Sequence, residues 1–268
     1  VTVKIRNSGT GLYREAKTND AGQYRAVLLD PGTYTVEAEA TGFAKATFTG
    51  VTLTVGSSVT LDIPLSLQQT STTVEVGAAV LAVDTSASSS TVNAEAITNL
   101  PINGRRFQDF AQLAPTAQVD SNTRGQISFA GQRGIYSNIM LDGADYNQPF
   151  FGGIRGGERS NSVITVPQSA IQEFQVVPTG YTAEYGRSTG GIMNTITKSG
   201  TNGVHGEAFW QIRDRELSAK SPIPAIISGQ LTQVKPSETL KQYGGGIGGP
   251  IKKDRLFYFG AIEAQKAN

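Results

Sequence analysis

The side chains that most often carry catalysis or hold metals are scarce in this chain. It has one histidine, His205, and no cysteine. A lone imidazole without thiolates or clustered carboxylates makes a poor metal site. The lack of cysteine also removes disulfide frameworks and thiolate chemistry. No serine sits in a G-x-S-x-G elbow, so a Ser-His-Asp triad has no platform. Asp142 and Asp145 flank a Gly-Ala turn. Paired carboxylates can bind a cation or act as acid and base, but Asp in such a turn is expected to bond its own backbone. Gly244-x-Gly246-x-x-Gly249 has the spacing of a dinucleotide fingerprint, which needs a helix N-terminus behind it to hold pyrophosphate. Pro250 and a charged turn follow instead, so a glycine-rich strand is expected. These residues predict a protein that is not an enzyme and uses no metal or cofactor.

Charge excludes another class. Lys and Arg number 23 against 22 Asp and Glu, without a clustered basic face, so nucleic acid is not an expected partner. No apolar run approaches the roughly 20 residues of a spanning helix. The chain starts in strand-like VTVKIR and stops in strand-like LFYFGAIEA, and is expected to be a piece of a longer protein.

The elements that must position any site are mainly β. Residues 1–68 alternate strands and turns. In TYTVEAEA, Tyr34, Val36, Ala38 and Ala40 share one face and Thr33, Thr35, Glu37 and Glu39 the other, the period of a half-buried strand. Val59, Leu61, Ile63, Leu65 and Leu67 repeat the pattern, and Pro64, without an N–H, places that strand at an edge. Six or seven short strands predict a small β-sandwich. Thr18–Phe43, with Gly22-x-Tyr24, Leu29-x-Pro31-Gly32-x-Tyr34 and Gly42-Phe43, resembles the carboxypeptidase-regulatory-like domain family. The resemblance implies a transthyretin-like sandwich without catalytic residues, serving as a docking module or a spacer.

Residues 69–91 read as a linker whose strand can add to a neighbouring sheet. Residues 92–199 read as a compact α+β unit. Asn93 can cap a short helix ended by Pro101, and Asn103 a second in which Phe107, Phe110, Ala111 and Ala114 recur at helical spacing. Two short strands and an Asp-Gly turn follow over Ile127–Asn147, then strands at Glu173–Val177 and Gly190–Lys198.

Three stretches in order, LPINGRRFQDFAQLAPT, FAGQRGIYSNIMLDGADYN and AIQEFQVVPTGYTAEYGRSTGGIMNTITKSGTNGVHGEAFW, are similar to the plug domain of TonB-dependent outer-membrane receptors, in the subgroup with a regulatory-like domain in front. The resemblance runs from about Thr72 to the C-terminus. It implies a globular plug inside a barrel of about 22 strands, in the bacterial outer membrane with the sandwich in the periplasm. Its implied partners are outer-membrane lipid, an energy-coupling periplasmic protein of the TonB type, and an extracellular substrate such as a glycan, peptide or metal chelate. It also implies a short energy-coupling box, for which Thr72, Thr73, Val74, Glu75 and Val76 are the positional candidates.

Residues 200–268 then read as the first three barrel strands. In GVHGEAFWQIR, Val204, Gly206, Ala208, Trp210 and Ile212 alternate with His205, Glu207, Phe209, Gln211 and Arg213, apolar toward lipid and polar toward the lumen. Tyr243 and Ile247, then Leu256, Tyr258, Ile262 and Ala264, continue the apolar face. The connection over about 214–240 is long and polar, and 250–255 is short and charged, as outer loops and inner turns of such barrels are. Lys198, Ser199, Gly200, Thr201, Asn202 and Gly203 would form the plug-to-barrel hinge. The aromatic, glycine-rich stretch from Tyr146 through Asn147, Phe150 and Phe151 to Arg155 is the candidate substrate-facing loop. Arg105, Arg106, Arg124, Arg133, Arg155, Arg159 and Arg187 could line a substrate path or pair with acidic groups on the wall, but most are expected to satisfy hydrogen bonds in a polar interface. The resemblance implies an importer of a large or scarce nutrient. The alternatives are a surface adhesion protein of the same architecture and a secreted carbohydrate-binding β protein.

Overall fold

A computed structural model describes residues 1–67, 81–82, 88–100, 105, 107–120, 126–147, 166–181, 183, 185–221, 225–227, 230–235 and 239–267. Three sheets carry the architecture, and each follows from its own hydrophobic pattern.

The first sheet is antiparallel and built from β1 (Thr2–Asn7), β2 (Tyr13–Lys17), β3 (Gly32–Glu39) and β4 (Ala46–Leu53), in the order β2-β1-β3-β4. Tyr34, Val36 and Ala38 of β3 face inward with Val3, Ile5, Phe48 and Val51, as period two requires. The strand expected over residues 59–67 is shorter than its pattern. Among the described residues only β5 (Val59–Thr60) is a ladder strand here, with an isolated bridge from Leu67 to Phe43. The alternation still works as packing: Leu61, Ile63 and Leu65 lie against the core with Tyr24, Ala26 and Leu29, and Tyr24 Oη donates to Leu61 O at 2.9 Å. So residues 1–67 hold five strands rather than six or seven: four form one layer of the sandwich, and β5 with irregular chain packs against it.

The linker adds strands to both neighbours. β6 (Leu81–Ala82) pairs with β5, and β7 (Ser88–Val92) becomes an edge of the plug sheet. Asn93 caps α1 (Ala94–Asn99) as expected, its Oδ1 accepting from Ala96 N at 2.9 Å. The second helix differs from expectation. Phe107–Leu113 is a 3-10 helix, while Phe110, Ala111 and Ala114 are buried as their spacing predicted. Asn103 lies outside the described residues.

β8 (Ala117–Asp120) and β9 (Gln126–Phe129) form a hairpin. β10 (Asn138–Leu141), β11 (Ala144–Asp145), β12 (Ile171–Thr179) and β13 (Ile192–Thr197) join β7 in the order β11-β10-β13-β12-β7. β13 lies between β10, to which it is parallel, and β12, to which it is antiparallel. Its Ile192, Met193 and Thr195 are all buried, so it is a central strand covered on both faces. Phe174 of β12 packs on Phe110 in the plug core.

The third sheet is β14 (His205–Arg213), β17 (Leu240–Lys252) and β18 (Leu256–Ala267), all antiparallel. The long connection between β14 and β17 holds a small hairpin of β15 (Ala225–Ile227) and β16 (Gln230–Thr232). The turn between β17 and β18 is only residues 253–255. The fingerprint-like glycines lie inside β17, with no helix after them, as a barrel strand requires.

Candidate functional site

The three wall strands have two unlike faces. Register places Phe209, Gly244 and Glu263 in one row, with Trp210, Tyr243 and Ala264 in the next row on the opposite face. On the outer face Val204 is 70% exposed, Trp210 65% and Ile262 74%, and Tyr243, Ile247 and Tyr258 are also exposed. A water-soluble core would have buried them. On the inner face the plug meets the wall at Phe209 and Glu263.

The contact that joins plug to wall is made by Arg105. Its guanidinium reaches Glu263 of β18 through two bonds, Nη2 to Oε1 at 3.0 Å and Nε to Oε2 at 3.3 Å. It also lies 3.7 Å from the centroid of the Phe209 ring on β14. The Ser169 N–H donates to the same Glu263 Oε1 at 2.9 Å. The Glu263 side chain is 1% exposed and that of Arg105 13%. A bidentate Arg–carboxylate pair shielded this well is strong only while both partners are present. Arg105 holds a left-handed φ of 53°, costing about 1–2 kcal/mol for a non-glycine residue. Such a conformation persists where surrounding contacts over-determine it. Glycine at 244 makes the row possible, since a Cβ there would lie 2.9 Å from Glu263 Cγ and 2.3 Å from a β18 carbonyl. Beside the junction, Gln168 Oε1 and Ser169 Oγ are buried with no hydrogen-bond partner among the described residues. Among the described residues, the plug is fastened to the wall here by a charged pair, a backbone hydrogen bond and a cation–π contact.

Among the arginines, Arg105 takes the wall-pairing role that the sequence reading held as the exception. Arg187 pairs with Asp145 inside the plug. Burial pushes the Asp145 carboxyl up, but bonds from Asn147 and Arg187 outweigh it and leave its pKa below the usual value. Asp145 thus bonds its own turn, as expected. Asp142 does not: its carboxylate crosses to β13 and accepts from Thr197 N and Thr197 Oγ1, because the turn stands directly over the end of that strand. Among the described residues no group of acidic and histidine side chains could hold a metal ion. His205 Nδ1 lies 3.1 Å from Gly203 O, a local contact. Arg106, Arg124, Arg155 and Arg159 lie outside the described residues.

The hinge is tied on both sides. Lys198 N donates to Ala170 O at 2.7 Å, and Lys198 Nζ meets Glu207 Oε1 of β14 at 2.9 Å. Gly200 passes so close to the wall that a Cβ would lie 2.3 Å from Tyr258 O. Asn202 and Asp254 form a reciprocal pair: Asn202 Nδ2 donates to Asp254 Oδ1 at 2.8 Å, and Asp254 N donates to Asn202 Oδ1 at 2.9 Å. Of the candidate loop, Asn147 is buried and its side chain bonds Asn138, Ile139 and Asp145. Tyr146 packs against the plug core. Because β10 runs parallel to β13, the 142–143 turn sits at the hinge end, and the chain leaves Asn147 at the opposite end. Phe150 and Phe151, like Thr72, Thr73, Val74, Glu75 and Val76, lie outside the described residues.

Sequence reasoning had no signal for Glu263 as the partner of Arg105. The two are 158 positions apart, and only the register of β14, β17 and β18 brings them together.

Comparison with known proteins agrees with this geometry. Residues 1–66 match the carboxypeptidase regulatory-like domain, 82–192 the TonB-dependent receptor plug domain and 196–268 an outer membrane β-barrel domain. The chain is 29% identical over 258 residues to the TonB-dependent transporter Oar of Myxococcus xanthus. That match covers 90% of this chain and 23% of Oar, so the chain spans about a quarter of that relative's length. The outer membrane transporter YddB from Escherichia coli shares the fold with a TM-score of 0.52 at 15% identity, over 67% of this chain and 26% of that one. The siderophore receptor PirA from Pseudomonas aeruginosa aligns with a TM-score of 0.43 at 21% identity, over 67% of this chain and 27% of that one. Sandwich, plug and outward-facing wall strands thus follow one another as the three matched domains do: a carboxypeptidase regulatory-like domain, a TonB-dependent receptor plug domain and an outer membrane β-barrel domain.

Proposed function

We propose that this chain forms the periplasmic sandwich, the plug and the first wall strands of an energy-coupled importer for a large or scarce nutrient such as a glycan, peptide or metal chelate. The observation that carries this reading is the polar fastening of Arg105 to Glu263. A plug meant to stay would be sealed by an apolar seam. A plug meant to move needs bonds that water can replace as it leaves. Ligand binding alone does not open such a junction. The work comes from a periplasmic protein of the TonB type pulling at Thr72–Val76, upstream of β7, which is itself an edge strand of the plug sheet. The pull reaches the plug through the β7–β12 ladder. The stretch from Tyr146 to Arg155 meets substrate, and it leaves the described plug at Asn147, whose side chain bonds Asn138.

The test is Val74→Pro in the full-length receptor. Proline removes an N–H from a segment that would be captured as an added strand. The purified C-terminal domain of the host's own TonB-type protein is expected to bind the parent receptor and to lose at least tenfold in affinity for the variant. Equal binding would remove the box at this position, and with it the importer mechanism in favour of an adhesion protein of the same architecture.

A further inference from the structure

The sandwich does not hang free of the plug. Three of its loops reach the hinge end of the molecule. The Val55 N–H donates to the Glu173 carboxylate on β12, a residue only 5% exposed. Gly56 backs onto the Gln175 side chain, and Gln172 Nε2 donates to Pro31 O at 3.3 Å. Gly9 O accepts from Asn202 N at 2.9 Å, on the hinge. Asn202 in turn holds Asp254, in the short turn of the wall, and Gly11 lies directly against that aspartate. One residue, Asn202, therefore links sandwich, hinge and barrel turn. The fit is close: a Cβ on Gly11, whose φ is 74°, would lie 2.0 Å from Asp254 Oδ1.

We infer that the regulatory-like sandwich is a clamp: it fastens plug strand β12 and the hinge to the first inner turn of the wall, and so sets how readily the plug opens. A passive spacer would have no reason to bury a plug carboxylate against its own backbone N–H. It would equally have no reason to bring glycine loops within contact of the hinge and the barrel turn. The hydrogen bonds shown across the clamp run from Val55 to Glu173, Gln172 to Pro31 and Asn202 to Gly9, which suits a contact that is released and remade. Its consequence for transport rests on the importer reading, because only a plug that moves needs such a restraint. The docking itself does not.

Gly9 and Thr201 offer a direct test, since the Cβ of a residue at position 9 would lie 3.8 Å from Thr201 Cβ. That is the separation of a relaxed disulfide. The chain has no cysteine to compete. The experiment uses the full-length receptor, cysteine-free elsewhere, in native outer membranes. The Gly9→Cys/Thr201→Cys pair is expected to link in most molecules under air, by peptide mapping. A Thr52→Cys/Thr201→Cys control is expected not to. Failure of the first pair, or equal linking of both, would overturn the docking. Hydrogen–deuterium exchange then asks whether docking restrains the plug. Gly11→Val, which pushes the sandwich off Asp254 without altering plug or wall, is expected to speed exchange of the Ile171–Thr179 amides about tenfold. Linking is expected to slow it. A second undocking variant, Asn202→Ala/Asp254→Ala, acts from the opposite side and should give the same direction. Unchanged exchange in both undocked variants would overturn the clamp. Neither readout uses substrate or coupling protein, so each stands or falls apart from import.

Discussion

The two faces of β14, β17 and β18 belong to the same residues of backbone and yet meet different worlds. One side shows Val204, Trp210, Tyr243, Ile247 and Ile262 to the outside. The other shows Phe209, three glycines of β17 and Glu263 to the plug. A strand side-chain period of two is enough to separate them. The outer face needs only to be apolar, so many residues would serve. The inner face needs a particular carboxylate opposite a particular guanidinium, with no Cβ between them. The lesson is that the wall's outer side is specified by composition and its inner side by position.

The largest effect is therefore expected on the inner face. Glu263→Ala strands the Arg105 guanidinium in a shielded site, and removing one partner of a buried pair costs about 3–5 kcal/mol. The full-length receptor should show a lower urea midpoint for plug unfolding, read by protease cleavage within the plug. Arg105→Ala on top of it should recover part of the loss, because no charge is then left unpaired. If the double variant is no better than the single, the pair is not the fastening described.

The outer face should answer to charge and not to detail. Ile262→Arg is expected to cost about 2–4 kcal/mol if it lies near the bilayer midplane, seen as a smaller fraction of folded receptor in outer membranes. Ile262→Leu should be silent, within about 1.5 kcal/mol. Gln265→Arg, on the inward face one register away, should cost far less than Ile262→Arg. Equal penalties at 262 and 265 would erase the difference between the faces.

How much of this the sequence could convey depends on the range of the interaction. Period-two alternation in β3 and β14, the Asn93 cap and the order of the three units are local, and all could be read from neighbouring residues. The strand over 59–67 was over-read because alternation reports which side packs, not whether a ladder forms. Asp142 was misjudged because its partner, Thr197, is 55 positions away and is brought close only by the parallel pairing of β10 and β13. Glu263 and the sandwich contacts at Glu173 and Asn202 were invisible for the same reason. Period identified the faces of the wall, but not what each inward residue would touch.

The smallest effect concerns the sandwich and pH. Burial raises the Glu173 pKa above its usual value of 4.5, and the Val55 N–H bond pulls the other way without reversing it. Where the docked sandwich supplies that burial, the docked form binds more protons than the undocked form between the usual and the raised value. Docking is then at full strength below about 4.5 and weakens as pH rises through the docked value. Pulsed electron paramagnetic resonance between nitroxides at Thr52 and Lys253 should show the docked distance gaining population as pH falls. Glu173→Gln should flatten that response. A response of opposite sign would mean that the charged carboxylate, not the neutral acid, is favoured in the contact.

The central claim is that residues after Lys198 build a wall with hydrocarbon on one side and the plug on the other. Its most direct test is to place nitroxide labels one at a time at Trp210→Cys, Ile262→Cys, Phe209→Cys and Gln265→Cys in the full-length receptor, reconstituted in lipid bilayers, and to compare relaxation by oxygen with relaxation by a water-soluble nickel chelate. The account predicts strong oxygen and weak nickel relaxation at 210 and 262, and weak relaxation by oxygen at 209 and 265. Nickel access at 210 and 262 equal to that of an exposed sandwich position such as Thr52 would contradict it.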